Sequence, residues 1–190
     1  MRLFTGKPAD LRETMMVDMG LYRYRVFVEK LGWELQCEAG LEYDQFDRDD
    51  TVYVVAQDDE GDIVGMARLL PTTRPYLLGE VFPQLMNGLP IPETEEVWEL
   101  SRFVALDFKA EATTGSMQFS SPVAVNLLKE SIAVAMRHGA QKLITVSPLG
   151  VERLLRKAGL CERKTSYVSL TVATVIDSFR IRSHVIPELF

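Results

Sequence analysis

The stretch VWELSRFV, residues 97–104, constrains this chain more tightly than any other. It reads as a strand, in which successive side chains point to opposite faces. Regular alternation sets Val97, Glu99, Ser101 and Phe103 on one face and Trp98, Leu100, Arg102 and Val104 on the other. Apolar groups bound the polar ones on both faces, so neither is the wet side of a half-covered sheet. A strand buried on both sides thus carries Glu, Ser and Arg in its middle. An unpaired buried charge costs several kcal/mol, so these groups must find partners or border a cavity. Partners are available: Asp44 and Asp47 three apart in a polar segment, Arg68 inside the apolar run GMARLL, and Arg23 close to the apolar stripe of a first helix. From the residues alone two readings stay open: an ion-pair network that fixes the fold, or an active site.

The neighbouring patterns say what surrounds this strand. Leu11, Met15, Met19, Tyr22 and Val26 recur at helical spacing, predicting a helix over 9–31 that stops at Gly32. TVYVVAQ and IVGMARLL read as strands joined by DDEGD, and LPTTRPYLLGEVFPQL as a turn followed by a short helix. Ser121 and Pro122 open a helix whose stripe is Val125, Leu128, Ile132 and Ala135, ending at Gly139. QKLITVS is a strand, LGVERLLRKAG a short helix and SYVSLTVATVI one long strand. This order predicts an α/β fold, a mixed twisted sheet flanked by helices as an α-β-α sandwich, in one domain spanning 1–190.

Composition limits the function. The net charge of −6 argues against a nucleic-acid binder. No run approaches the length of a membrane span, and no early segment reads as a signal peptide, which suggests a cytoplasmic protein. Cys37 and Cys161 lack metal-ligand spacing and read as small apolar fillers, and with only His138 and His184 a His-based triad or metal site is not expected. Charge is unevenly spread. Eleven acidic residues between Glu34 and Asp62 face one basic residue, Arg48. From Val151 to Lys164 the balance reverses, with Arg153, Arg156 and Lys157 at its centre, as either a docking patch for an anionic partner or a solvated helix face.

Beyond this, the chain resembles the acyl-homoserine-lactone synthases, the autoinducer synthases of bacterial quorum sensing. The resemblance rests on RYRVFVEKLGW with Arg23, Phe27 and Trp33, and on DQFD with Asp44 and Asp47. ARLLPTTRPYLL with Arg68, VFPQL with Phe82, and WELSRF with Glu99, Ser101 and Arg102 complete it. It implies an N-acetyltransferase-like fold, although the Gly-rich pyrophosphate loop of those acetyltransferases is missing. It also implies S-adenosylmethionine and an acyl group on acyl carrier protein as substrates, with no cofactor and no metal. Glu99, Ser101 and Arg102 would then be catalytic. Arg23, Phe27, Trp33, Asp44, Asp47, Arg68 and Phe82 would bind S-adenosylmethionine or brace its pocket. Leu100, Phe103, Leu143, Val146, Ser147, Val151, Leu154, Leu155 and Ala158 would line the acyl chain, and Arg153, Arg156 and Lys157 would dock the carrier. The competing readings are an acetyl-coenzyme A-dependent N-acetyltransferase and a non-catalytic ligand sensor.

Overall fold

A computed structural model describes residues 1–86, 88–110, 122–148, 162–168 and 171–177, with side chains through residue 146. Seven strands form one sheet: β1 (Arg2–Gly6), β2 (Val52–Gln57), β3 (Ile63–Pro71), β4 (Val97–Ala105), β5 (Lys142–Pro148), β6 (Glu162–Val168) and β7 (Thr171–Asp177). Their order is β1-β2-β3-β4-β5-β7-β6. Every neighbouring pair is antiparallel except β4 with β5. That parallel ladder joins only Val97–Leu100 to Lys142–Thr145. Beyond it β4 follows β3 as far as Ala105, while β5 follows β7 to Pro148. The sheet's one parallel junction is therefore open at the carboxyl end.

The helices cover both faces, as the order of elements predicts. On one face α1 (Glu13–Arg23) buries Met15, Met19 and Tyr22 against Tyr53, Val55, Met66 and Val104. On the other, the helix Pro122–Arg137, here α3, buries Leu127, Leu128, Ile132 and Ala135 against Val54, Ala67, Leu69 and Leu100. A third cluster gathers Phe46, Leu70, Tyr76, Leu78, Val97 and Ile144 beneath the short α2 (Leu77–Glu80). Fully burying each such side chain is worth roughly 1.5–3 kcal/mol, which anchors the strand ends where the charges gather.

Four features differ from what the sequence predicts or add to it. The helix predicted over 9–31 is a turn at Pro8–Asp10, then α1, then a π-helix over Tyr24–Lys30, in which Leu31 N–H donates to the Val26 carbonyl five residues back. The wider turn changes the phase of the side chains after Arg23, which periodicity at α spacing cannot register. Gly32 ends it at φ +68°, as predicted for a stop. The N-terminal strand β1 was too short and mixed to stand out. SYVSLTVATVI holds the end of β6 and most of β7, which pair antiparallel, and no Gly, Asn or Pro separates them in the sequence.

The fourth, a correction, concerns β4 itself. Arg68 pairs with Ser101 and Met66 with Val104, so Arg102 and Phe103 together oppose Ala67. This is a β-bulge, and Arg102 occupies its left-handed position at φ +50°, unusual for a residue other than glycine. The extra residue shifts the alternation. Phe103 packs with the α3 cluster, opposite to its predicted face, and Val104 joins the α1 cluster. Arg102 is freed from the α3 face and turns toward the carboxylates near Glu99 and Ser101.

Candidate active site

The charged side chains of the sequence converge beside the sheet, held by a loop that crosses it. Gly20 of α1 admits this loop: a Cβ there would lie 2.7 Å from the Tyr43 ring and 3.1 Å from Leu41. The Gly20 carbonyl accepts a hydrogen bond from Glu42 N–H at 3.1 Å. The loop then turns so that Asp47 accepts the Asp44 N–H (2.7 Å) and Asp44 accepts the Phe46 N–H (2.9 Å).

Three arginines from three elements meet three carboxylates of this loop in a closed, alternating ring. Arg102 donates to Glu42 (2.9 Å), and Glu42 also accepts the Arg23 Nε–H. Arg23 holds Asp47 in a bidentate pair at 2.8 and 3.0 Å. Asp47 stands 3.2 Å from Arg68, which grips Asp44 at 2.6 and 3.1 Å. Asp44 closes the circle by accepting from Arg102 at 2.8 Å. Arg23 and Arg68 are completely buried and Glu42 nearly so. With matched charges the ring is neutral, and bidentate guanidinium pairs offset the desolvation that lone charges would suffer. Tyr53 adds a hydrogen bond to Asp47 (2.7 Å), and the Ser101 hydroxyl accepts the Arg68 Nε–H (3.0 Å). Burial pushes the Glu42 and Asp47 carboxyls up, but the adjoining guanidiniums outweigh it and hold both below the ordinary carboxylate range.

Arg102 also faces an aromatic wall. Its guanidinium lies 5.4 Å from the Phe27 ring and 5.9 Å from the Trp33 ring. Those rings stack at 4.8 Å and 20°. Phe27 is buried and Trp33 is 39% exposed, so the wall runs from the core to the surface. The π-helix and its glycine stop make this pairing, with Trp33 N–H donating to the Phe27 carbonyl at 2.9 Å.

Glu99 lies on the Ser101 face of β4, fully buried, yet belongs to no ion pair among the described residues. Both its oxygens accept backbone hydrogen bonds at the start of α2, from Leu77 N–H (3.0 Å) and Leu78 N–H (2.7 Å). Burial pushes its carboxyl up to about 7, the two amides and Arg68 opposing the rise and Asp44 adding to it. A carboxyl poised near neutrality and held at both oxygens has the character of a general base or acid.

The structure thus brings together Arg23, Asp44, Asp47, Arg68, Ser101 and Arg102 in one network, with Phe27 and Trp33 against it and Glu99 beside it. Phe82 is half-buried against the hydrophobic cluster beneath α2. The acyl-chain lining divides: Leu100, Leu143 and Phe103 belong to the α3 cluster, whereas Val146 packs on the opposite face. Strand alternation separates these positions, so among the described residues they do not form one wall. The Ser147 side chain, Val151, Leu154, Leu155 and Ala158, and the docking residues Arg153, Arg156 and Lys157, lie outside the described residues. Glu42 is the member that the sequence reading missed. Its signal was slight, an acid two residues before Asp44 in a segment already crowded with acids.

A mixed sheet with an open parallel junction, flanked by helices on both faces, is the framework of the N-acyltransferase-like fold. A solved acyl-CoA N-acyltransferase from Pseudomonas aeruginosa shares that fold at TM-score 0.59 and 17% identity, covering 92% of this chain and 97% of its own. More specific likenesses follow. The autoinducer synthase family model matches residues 9–178. An acyl-homoserine-lactone synthase of Acinetobacter nosocomialis is 57% identical over 159 residues, 84% of this chain and 87% of its own. The crystal structure of TofI in a ternary complex with an inhibitor and MTA matches at TM-score 0.79 and 42% identity, covering 94% of this chain and 92% of that one. The CoA-dependent acyl-homoserine lactone synthase MesI matches at TM-score 0.77 and 27% identity, over 93% of this chain and 89% of its own. The chain belongs to the autoinducer synthase family, the acyl-homoserine-lactone synthases. Among the described residues no helix is long and apolar enough to cross a membrane.

Proposed function

We propose that this enzyme acylates S-adenosylmethionine from acyl carrier protein and closes the product to an N-acyl-homoserine lactone, releasing 5′-methylthioadenosine. The observation that carries this reading is the buried Glu99 carboxyl, near neutrality and clasped by two amides, beside the ring that presents Arg102 to the Phe27–Trp33 wall. The MTA in the TofI complex supports the same substrate, since 5′-methylthioadenosine is what S-adenosylmethionine leaves after lactonisation.

Each step assigns work to these residues. An α-amino group has a reference pKa of about 7.7–8.0 and is mostly protonated at neutral pH. Glu99, directly or through a held water, takes that proton, and the freed amine forms the N–C bond as the thioester C–S bond breaks. The amide nitrogen keeps one hydrogen, and the remaining amine proton goes to the carrier sulfur, which leaves as the thiol. The substrate carboxylate then attacks the carbon beside the sulfonium, and the C–S bond breaks to a neutral sulfide. This second step asks mainly for a bent, held chain. Stacked Phe27 and Trp33 suit the adenine or the sulfonium, and Arg102 the carboxylate. Arg23, Arg68, Asp44, Asp47 and Ser101 keep Arg102 and the β4 edge in place. Neither displacement requires a redox or Lewis-acid partner, and both substrates are cytoplasmic pools, which sets the reaction in the cytoplasm.

The test supplies the purified chain with S-adenosylmethionine and either acyl carrier protein thioesters or acyl-coenzyme A, with lactone and 5′-methylthioadenosine read by mass spectrometry. Equal yields of both products with the carrier thioester are expected. Turnover confined to coenzyme A thioesters, as in MesI, overturns the donor; an acylated amine without 5′-methylthioadenosine overturns the reaction.

A further inference from the structure

The sequence sets a single cation, Arg48, amid eleven acids, and neither the ring nor the chemistry uses it. Its backbone is locked in a turn: Arg48 N–H donates to Thr51 Oγ1 (3.0 Å), Thr51 N–H to the Arg48 carbonyl (3.0 Å) and Thr51 Oγ1 to the Phe46 carbonyl (2.7 Å). From this turn the guanidinium leaves its own loop. Nε donates to Asp50 at 2.9 Å, and Nη1 donates at 2.6 Å to the carbonyl of Pro75. Pro75 lies two residues before Leu77, whose amide is the first of the pair that holds Glu99. The apolar side of the same contact is Phe46, clustered with Tyr76 and Leu78. The bond to Pro75, with a looser ion pair from Asp50 to Arg74 at 4.0 Å beside it, joins the loop that carries Asp44 and Asp47 to the turn that carries the amides of Glu99.

We propose that Arg48 is a positioning residue: by holding the Pro75 carbonyl it fixes the turn that presents the Leu77 and Leu78 amides to Glu99. The base and the charge ring are thereby kept in register. The proposal deepens the reading of Glu99 as the base and rests on it. Besides the two amides, the groups facing Glu99 are Arg68 of β3, Asp44 of the crossing loop and Tyr76 of the turn. Loss of the tether leaves Arg68 and Asp44 bound to each other and weakens the amides alone. Weaker donation to the ionised form favours the protonated one.

The decisive pair of variants is Arg48→Met and Asp50→Ala, the second removing the carboxylate that aims the guanidinium. As bare charges they act oppositely on Glu99, since loss of a cation raises a carboxyl pKa and loss of an anion lowers it. As damage to one tether they act alike. The Glu99 midpoint is read by ¹³C NMR of glutamate-labelled protein, its signal assigned with Glu99→Gln. No substrate is involved, so failure here is distinct from failure of the proposed reaction. Both variants are expected to raise the midpoint by about half to one pH unit, with Arg48→Lys, which can still donate to Pro75, near the parent value. In turnover the acid limb of kcat should move with the midpoint while KM for S-adenosylmethionine stays within about twofold. A midpoint that falls in Asp50→Ala, or does not move in Arg48→Met, overturns the proposal.

Discussion

Replacing Glu99 by Gln separates the proton chemistry of the site from its shape. The carboxyl is held at about 7 against an ordinary value of 4.5, so between those limits the folded chain binds a proton that the unfolded chain has released. Stability from this group is therefore fully present below pH 4.5 and falls as pH rises toward and through 7. Integrating the linkage between pH 5 and 8 gives a loss of about 2–3 kcal/mol from this one carboxyl. Gln cannot ionise and should not show that slope. It pays elsewhere, because only one of its terminal atoms accepts, leaving the Leu77 or Leu78 amide facing another donor at about 1–3 kcal/mol. That cost does not depend on pH. Urea unfolding of both proteins at pH 5 and pH 8 isolates this contribution: the Gln variant should be the weaker at pH 5 and recover about 2–3 kcal/mol relative to the parent by pH 8. Lactone formation should fall about 10²–10⁴-fold as the base is lost. Parallel pH profiles for the two proteins would refute the argument that Glu99 is a buried, near-neutral acid.

Glu42→Gln opens the neutral ring beside Arg23 and Arg102, and should cost about 3–5 kcal/mol in urea unfolding at neutral pH. Since Glu42 and Asp47 titrate below the ordinary range, their contribution is present above the unfolded carboxylate pKa and lost as pH falls below it. Acid unfolding of Glu42→Gln should accordingly show a shallower dependence below pH 4 than the parent. At the bulge, Arg102→Gly should be more stable than Arg102→Ala by about 1 kcal/mol because only glycine accepts φ +50° without strain, while both lose lactone synthesis. Equal stabilities would show that the left-handed backbone is not strained. Charge reversal at Arg153 and Lys157 together should raise the KM for acyl carrier protein several-fold and leave that for S-adenosylmethionine unchanged in steady-state assays.

The sequence made the site conspicuous because charges inside apolar runs are improbable without partners. Arg68 within GMARLL, Arg102 within β4 and Arg23 beside a helical stripe each asked for a carboxylate, and the loop with Asp44 and Asp47 supplies two of the three. Glu42 escaped because acids are common in a polar loop, where its spacing to Asp44 carries no distinguishing pattern. The faces of β4 were assigned by strict alternation, which cannot anticipate a left-handed arginine. The layered fold followed from periodicity in α1, α3 and the central strands. The π-helix and the β6–β7 hairpin did not, since both depend on tertiary packing that local propensity does not encode. Arg48 stood out by charge alone, but its partner is a carbonyl, and carbonyls are identical in every residue.

The bulge at Arg102 divides β4 into two segments with opposite parity. Upstream, odd-numbered positions look toward the reactive side; downstream, even-numbered positions do, and Leu106 reaches the Tyr22 hydroxyl through both its backbone groups at 3.0 Å. Deleting Arg102 itself would restore a regular strand with Ser101, Phe103 and Val104 still on their present faces, whereas a deletion that kept the bulge would turn part of the strand over and exchange oily surface for charge. The surplus residue is thus what lets one strand show a guanidinium on the same side as Glu99 and Ser101, a grouping that strict alternation forbids.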